Sequence, residues 1–424
     1  MSSLVFIIVT LFFLVSIYWT LYLKWPQITK IKTLKNIKKD DLHTFFLTLA
    51  TNLGVGNIIG VSAAIIIGGP GVIFWMFLFS FFVSALSYVE TFYAVKSQTM
   101  IGNEIVGGTC YTIDKFVKSK YKVVLGIAFS FFLVLTNSIF FTPVQLNCIF
   151  NIFEGNYRIV YILISVFVIL FIVFKGVKSI IQLTDKIVPI MTIVFLFVII
   201  YGIIKKIDEV PMLIKLIITD AFNLKSCIAG SFVTLINTAI TKSLFSNEAG
   251  LGTMPSLTGV SNQSDIEKTS YLQLASIIVD TCILCTLTGI FILLYYGNDM
   301  TLTTLTFVDC ISNALGKIGL VIGKILVYIF GFSSAIGLYY LGESNILYFS
   351  YKIKLNYKVC KFIFQILYII GMFIALFGDF QNLILLVDIG LVILGTINIF
   401  VLFIIEKRYK FLKNNNIKIL EEKE

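Results

Sequence analysis

The sequence predicts an all-α membrane protein that crosses the bilayer about eleven times, and three observations support this prediction. Of the 424 residues, 58% are hydrophobic and only 13% are charged, and the mean hydropathy is +0.96. The apolar runs repeatedly exceed the roughly 18 residues expected of a membrane-spanning helix. They lack the short alternating segments of barrel strands, and in hydrocarbon a helix satisfies its own backbone amides. The chain is therefore expected to be a polytopic helical protein.

The apolar windows define the candidate spans. In chain order they cover residues 4–24, 44–67, 71–96, 122–150, 157–174, 186–204, 222–245, 270–296, 318–346, 358–378 and 381–405. The first window is followed by Lys24, Lys30 and Lys32 and is preceded by no basic residue, the reverse of the charge order of a secretory signal. It is expected to stay uncleaved, with the N-terminus outside the cell.

The lysines predict the orientation of the remaining spans. Lysine-rich stretches alternate with loops that carry no Lys or Arg: the former are 96–122, 175–186, 352–361 and 407–413, the latter 68–70, 296–306 and 378–382. Because cytoplasmic loops carry the excess of basic residues, the C-terminus is predicted to be cytoplasmic. Lys205, Lys206 and Lys215 are exceptions to this alternation. The expected location is the plasma membrane of a prokaryotic cell.

The net charge of +10 and the cysteines point to no other class of protein. The basic residues occupy short stretches between apolar runs, so they are interpreted as membrane anchors and not as a nucleic-acid surface. Cys282 and Cys285 form a C-x-x-C within an apolar segment, where a thiol is usually a small hydrophobe. No Walker, H-E-x-x-H or nucleophile-elbow motif occurs, and His43 is the single histidine. We therefore expect neither an enzyme nor a cofactor.

The span pattern divides the chain into three parts. Residues 1–43 form an N-terminal helix with a basic loop, 44–406 form the core, and 407–424 form a charged tail. The core holds ten spans, which divide into two sets of five, 44–204 and 222–406, of opposite topology. Such inverted repeats are a hallmark of secondary transporters, in which the first helix of each half is interrupted near the substrate.

Both expected interruptions are found in the sequence. The first is TNLGVGNIIG, from Thr51 to Gly60, and the second, five spans later, is LFSNEAGLGTMP, from Leu244 to Pro255. A broken helix exposes N–H groups that suit a carboxylate and C=O groups that suit a bare cation. Two alternatives stay open: Gly56 and Gly60 form a G-x-x-x-G packing face, and the residues beyond Gly250 form a cytoplasmic helix end.

Further polar side chains fall at membrane depth, where each is a functional candidate. They are Glu90, Gln145, Asn147, Asp280, Ser333, Ser334, Asp388 and Asn398. For Glu90 and Asp280 we favour structural hydrogen bonding. The hydroxyls of Ser333 and Ser334, together with carbonyls of the first break, form an oxygen cage suited to a hard monovalent cation. Alternatively, these hydroxyls bond back to their own helix.

These segments resemble the alanine or glycine:cation symporter family, that is, the sodium:alanine symporters. The resemblance runs in the family's order from about Leu42 to Asn398. The matching stretches are GVGNIIGVSAAIIIGGPGVIFWM, GGTCYTIDK, VQLN, KGVKSIIQLTDKIVPIM, LFSNEAGLG and VDTCILCTLTGIFIL. The resemblance implies a leucine-transporter-like fold with a broken first and sixth core helix. It also implies sodium-driven uptake of small neutral amino acids.

The resemblance further implies a set of site residues. Sodium would be held by Ala50, Leu53, Phe330, Ser333 and Ser334. The amino acid would be surrounded by Thr51, Asn52, Gly54, Val55, Gly56, Asn57, Gln145, Phe245, Ser246, Asn247, Glu248 and Leu338.

This chain departs from the family pattern at three positions. The family usually has threonine where this chain has Val55, tryptophan near Leu338, and proline where this chain has Ile397. The first two changes would remove a hydroxyl and an aromatic wall from the pocket. A larger or more apolar amino acid could then fit as well, since pocket volume and unpaired polar groups govern such discrimination.

The leading interpretation is a sodium-coupled symporter that imports small neutral amino acids by alternating access. Its partners would be the amino acid, the sodium ion and membrane lipid, while the oligomeric state, a monomer included, is left open. One alternative is proton coupling through Glu248 or Glu90. Another is a transporter-derived sensor that binds an amino acid without moving it.

Overall fold

The computed structural model describes residues 2–34, 37, 45–46, 48–49, 52–101, 104–223, 231–259, 265–296 and 305–414. The helices of the first half are α1 (Ser2–Tyr22), α2 (Pro26–Thr29), α3 (Ile59–Gly68), α4 (Val72–Lys96), α5 (Thr109–Phe116), α6 (Lys122–Leu135), α7 (Thr142–Ile152), α8 (Arg158–Lys175), α9 (Val177–Lys205) and α10 (Val210–Ala221). The second half contains α11 (Ser231–Asn247), α12 (Pro255–Thr258), α13 (Ile266–Ile277), α14 (Thr286–Tyr295), α15 (Thr306–Leu315), α16 (Lys317–Ile353), α17 (Tyr357–Phe377) and α18 (Phe380–Asn414).

The predicted all-α membrane class is confirmed. Within the described ranges, eight helical segments are long and apolar enough to cross a membrane, and nine if α1 and the segment after it, which meet at 46°, count as one span. The eight are Val72–Lys96, Lys122–Ile152, Arg158–Lys175, Lys186–Lys205, Ile266–Tyr295, Lys317–Ile353, Tyr357–Phe377 and Phe380–Ile405. Each coincides with a predicted window, although the helix that contains 318–346 continues to Ile353.

The two remaining windows, 44–67 and 222–245, contain the shorter helices. The first contains a 3-10 turn at Val55–Asn57 followed directly by α3, and the second contains α11. The first of these windows contains the first predicted interruption, and the second predicted interruption begins at the end of the other window. The count of eleven spans stays a prediction, as does the division into repeats.

Two long spans contain a π-helical segment at mid-length. Thr136–Phe141 separates α6 from α7, and Ile278–Cys285 separates α13 from α14. At the end of the first, the Asn137 carbonyl accepts from both the backbone N–H and the hydroxyl of Thr142, the latter at 2.6 Å. The next residue, Pro143, supplies no backbone N–H. Such π segments are frequent at functional sites.

Packing distinguishes central from peripheral helices. Helix α4 packs against α13, α11 and α1, and α16 packs against α7, α6 and α15. The apolar window of α4 is 67% buried within the protein, whereas that of α8 is 22% buried. Large apolar side chains such as Phe197 and Phe377 are exposed on the outer surface, as expected of a protein surrounded by lipid. The polar residues of interest lie on the central helices.

The lysine-rich stretch 96–122 contains structure that the apolar pattern did not predict. Strands β1 (Thr99–Ile101) and β2 (Glu104–Val106) pair antiparallel, with Met100 opposite Ile105, and α5 follows. Asp114 on α5 forms an ion pair of 2.5 Å with Lys352 at the end of α16. These contacts attach the stretch to the ends of the spans.

Candidate functional site

The first break is a short irregular segment before α3. The N–H of Leu53 still donates to the Leu49 carbonyl at 2.7 Å, as in a helix. The N–H of Gly54 instead donates to the carbonyl of Asn52, two residues earlier. A single 3-10 turn, Val55–Asn57, then precedes α3. The N–H of Val55 donates to Oε1 of Gln145, on α7, at 3.0 Å. A side chain of another helix therefore satisfies a backbone amide that the interruption frees.

The second break follows α11. Glu248, Gly250 and Gly252 have φ values of +50°, +80° and +76°, left-handed conformations that end a helix and that glycine adopts most easily. The carboxylate of Glu90, on α4, accepts from the N–H of Gly250 and that of Gly252, each at 3.2 Å, and from Nδ2 of Asn398. These contacts agree with the structural hydrogen bonding that the sequence favours for Glu90.

The residues beyond Gly250 are held inside the protein and do not form a loose helix end. Leu251 and Met254 are fully buried. The carbonyl of Gly250 accepts from Nδ2 of Asn398, on α18, at 2.9 Å, and the carbonyl of Gly252 accepts from the Thr109 hydroxyl at 2.7 Å. The second break therefore lies between α4, α5 and α18.

The two breaks touch each other. A Cβ atom placed on Gly56 would lie 3.1 Å from Cα of Ser246 and 3.2 Å from the carbonyl oxygen of Phe245. A Cβ atom on Gly60 would lie 3.3 Å from the Phe245 ring, so close packing accounts for the second glycine of the G-x-x-x-G pattern. Absence of a side chain at Gly56 brings the backbones of both interruptions together at one point.

Asp280 joins the two breaks through hydrogen bonds. Its Oδ1 accepts from Nδ2 of Asn57 at 2.6 Å, and its Oδ2 accepts from the Ser246 hydroxyl at 2.9 Å. The Thr281 hydroxyl also donates to Oδ2, at 2.7 Å. Asp280 is completely buried and lies on the π-helical segment 278–285. The hydrogen-bonding role favoured for Asp280 again matches the contacts.

Helix α16 contacts the first break from the other side. A Cβ atom on Gly54 would lie 2.7 Å from Oγ of Ser334 and 3.0 Å from Oε1 of Gln145. The hydroxyl of Ser333 donates to the carbonyl of Phe330 at 3.1 Å, so the back-bonded alternative holds for Ser333. Because a Cβ atom on Gly54 would collide with it, the hydroxyl of Ser334 lies against the irregular backbone of the first break.

Several buried polar atoms at the breaks have no protein partner within the described part of the chain. They are both amide atoms of Asn52, Oδ1 of Asn57, Oε2 of Glu248 and Oγ1 of Thr253. A buried polar atom without a hydrogen bond costs roughly 1–3 kcal/mol. These atoms are available to a ligand that carries hydrogen-bond donors or acceptors.

Of the other predicted site residues, some contact protein groups, one is buried on α16, and two lie outside the described ranges. Phe245 packs edge-on against Phe141, with ring centroids 6.2 Å apart. Asn247 is engaged by the protein, because its Nδ2 donates to Thr281 at 3.1 Å and its Oδ1 accepts from the N–H of Ala249. Leu338 is buried on α16, one turn beyond Ser334. Ala50 and Thr51 lie outside the described residues.

Among the charged residues that sequence reasoning missed is one close to the second break. Lys242 lies inside the window 222–245, and its Nζ forms an ion pair of 2.8 Å with Asp388 of α18. Asp388 was identified as a polar residue at membrane depth, but its partner was not. The signal available was a lysine within an apolar window, two residues before the second predicted interruption begins at Leu244.

The comparison with family models decides the assignment. The model of the sodium:alanine symporter family matches residues 1–422. The chain belongs to this family. Amino-acid transport across a membrane, and not enzymatic catalysis, is the function that the family supports.

Relatives of this symporter are found in bacteria. The amino-acid carrier protein AlsT of Bacillus subtilis is 30% identical over 312 residues, which are 72% of this chain and 66% of AlsT. The probable sodium/glutamine symporter GlnT of the same organism is 30% identical over 78% of this chain and 72% of GlnT. The chain spans about two thirds of the length of these curated relatives.

A relative and a solved structure add to this comparison. The sodium/alanine symporter AgcS of Methanococcus maripaludis is 29% identical over 70% of this chain and 67% of AgcS. The crystal structure of MhsT in complex with L-phenylalanine has a TM-score of 0.58 and 15% identity, and the match covers 85% of this chain and 88% of MhsT. This likeness shows the fold, which is leucine-transporter-like.

Proposed function

We propose that this symporter imports a small neutral amino acid, of the alanine and glycine class, together with sodium across the plasma membrane by alternating access. The observation that carries the proposal is the contact between the two breaks at Gly56 and Ser246. Around this point irregular backbone of both breaks lies together with unpartnered side-chain atoms of Asn52, Asn57 and Glu248. An amino acid and a cation supply the charges that this set of groups lacks.

Sodium would bind between the first break and α16. The groups proposed to hold it are the carbonyls of Ala50, Leu53 and Phe330 and the hydroxyls of Ser333 and Ser334. All are oxygen atoms, the ligand type that a hard cation prefers. The proximity of Gly54 to the Ser334 hydroxyl supports this placement, because it brings the end of the first helical segment against α16.

The amino acid would bind beside the sodium, between the two breaks. Its carboxylate would accept from the unpartnered Nδ2 of Asn52 and from the backbone N–H of Gly56, near the start of α3 where the positive end of the helix dipole lies. Its ammonium would donate to unpartnered oxygens, for which Oδ1 of Asn57 and Oε2 of Glu248 are available. Phe245, Val55 and Leu338 would bound the side-chain pocket.

The proposal is tested by uptake into proteoliposomes. Radioactive alanine, glycine and serine are supplied with an inward sodium gradient, at fixed pH and clamped membrane potential. We expect accumulation that is abolished when choline replaces sodium. Equal uptake in both conditions would exclude sodium coupling.

The two alternatives give different results in the same system. Proton coupling requires uptake driven by a pH gradient without sodium, and loss of that uptake in Glu248→Gln, since Glu90 is already bonded to the second break. A sensor would show amino-acid binding in a thermal-shift experiment with no accumulation under any gradient.

A further inference from the structure

A groove among α6, α16 and α17 lies apart from both breaks. Its volume is about 220 Å³, several times the roughly 30 Å³ that one water molecule occupies in the liquid. Four of its lining residues, Cys360, Ile363, Phe364 and Leu367, follow the i, i+3, i+4, i+7 spacing of one helix face. In the part of the chain that the structure describes, every lining side chain is apolar. Such a wall suits neither an ion nor the charged groups of an amino acid.

The groove has a buried floor and an open side. Val134, Ile346 and Phe364 are buried within the protein. By contrast, Phe131 is 48% exposed and Ile363 is 51% exposed. The open side therefore faces the surface that the bilayer surrounds. Hydrocarbon is expected to fill it, because an empty groove would forfeit the dispersion contacts of its lining.

The length of the groove matches the depth of one leaflet. Leu355 lies just before α17, and Leu367 lies ten residues, or about 15 Å, beyond the start of α17 at Tyr357. Half of the roughly 30 Å hydrocarbon core of a bilayer is also about 15 Å. Since the stretch 352–361 is lysine-rich, this leaflet is predicted to be the cytoplasmic one.

Two lysines lie at the Leu355 end of the groove. Lys354 directly precedes Leu355, Lys358 lies in the first turn of α17, and both are exposed. Within the described ranges no carboxylate pairs with either side chain, whereas the other lysines of this stretch, Lys352 and Lys361, are held in ion pairs. Two positive charges are therefore uncompensated at the depth of the lipid headgroups.

The connection that carries these lysines is short, and hydrogen bonds define its shape. Lys354 has a φ of +57°, a left-handed conformation that ends α16, and the N–H of Leu355 donates to the carbonyl of Ser350 at 3.0 Å. Asn356 is the N-cap of α17, and its Oδ1 accepts from the N–H of Lys358 at 2.9 Å. The backbones of both lysines are thereby fixed beside the end of the groove.

We propose that this groove binds one anionic phospholipid of the cytoplasmic leaflet. An acyl chain occupies the groove, and the phosphate lies between Lys354 and Lys358. A phospholipid supplies both things that the site lacks, namely hydrocarbon for an apolar wall and a negative charge for two lysines near the membrane surface. Because α16 lines the groove and also places Ser334 against the first break, the bound lipid supports a helix of the transport site. The proposal does not depend on which solute is transported.

The test counts the phospholipid molecules that the purified full-length protein retains, by native mass spectrometry. Protein in detergent is titrated with phosphatidylglycerol and, separately, with phosphatidylcholine of the same acyl chains. We expect one phosphatidylglycerol per chain at concentrations at which no phosphatidylcholine is retained. The double variant Lys354→Gln/Lys358→Gln should bind phosphatidylglycerol roughly thirtyfold more weakly. The matched control, Lys175→Gln/Lys186→Gln, removes two exposed lysines of another predicted cytoplasmic stretch and should bind as the wild type does.

A pair of tryptophan variants tests the groove itself. Ile363→Trp places a larger ring in the groove, whereas Ile366→Trp makes the same change at a residue of α17 that is 43% exposed and does not line it. Both should keep the Tm of the wild type, but Ile363→Trp should lose the retained lipid and Ile366→Trp should keep it. Equal retention in the two variants, or phosphatidylcholine retained as tightly as phosphatidylglycerol, overturns the site. A lipid-free dimer that Ile363→Trp alone dissociates would assign the groove to a second copy of this chain and would likewise overturn it.

Discussion

Replacing Glu90 with glutamine should loosen the second break, and the structure sets the size of the effect. The carboxylate accepts three hydrogen bonds, from two backbone N–H groups and from Asn398. Glutamine keeps one acceptor oxygen, and its NH₂ group faces the N–H of Gly250 or that of Gly252, donor against donor. Each lost hydrogen bond to a charged group is worth about 1.5–3 kcal/mol. We therefore expect Glu90→Gln to destabilise the protein by about 3 kcal/mol.

The assay uses cysteines as reporters of unfolding. All six cysteines in the described ranges are buried, so a thiol-reactive dye should label them only as the protein unfolds on heating. The control is Glu267→Gln, whose exposed ion pair with Lys30 contributes roughly 0–1 kcal/mol. Glu90→Gln should lower the Tm clearly and reduce sodium-driven uptake at least tenfold. A Tm and an uptake rate equal to those of Glu267→Gln would refute the assigned role of Glu90.

Three further substitutions test the contacts of the breaks. Gly54→Ala places a Cβ atom 2.7 Å from the Ser334 hydroxyl, so the Tm should fall, and adding Ser334→Gly should restore the Tm but not uptake. A double variant no more stable than Gly54→Ala would contradict this contact. Asp280→Asn removes the anion that joins both breaks and should lower uptake at least tenfold; unchanged uptake would exclude its role. Val55→Thr adds a hydroxyl and should raise uptake of glycine and serine relative to larger apolar amino acids. An unchanged ratio of these uptake rates would show that Val55 does not line the pocket that selects the amino acid.

Much of the fold could be predicted from sequence because membrane spans are specified locally. A run of apolar residues long enough to cross the bilayer must be helical, whatever surrounds it. The two breaks were also predictable, since glycine and asparagine loosen a helix and the breaks have the spacing expected of an inverted repeat. The hairpin β1–β2 and helix α5 were missed because they lie in a polar stretch with no apolar periodicity.

The partners of the buried polar residues could not be predicted, since they lie far apart in the chain. Asp280 bonds Asn57 and Ser246, which come from separate segments, and only the folded packing brings these groups within reach. Lys242 is 146 residues from Asp388 in sequence. Composition indicates that such groups need partners, but it does not indicate which ones.

The bridge made by Asp280 has a consequence for leakage. Because one carboxylate bonds a residue of each break, neither break shifts alone without losing a hydrogen bond between buried groups. A transport cycle in which one broken helix changes conformation on binding sodium while the other broken helix does not is thereby disfavoured. We expect the intact bridge to suppress sodium flux in the absence of amino acid, and its loss to appear first as slippage, with ions crossing unaccompanied.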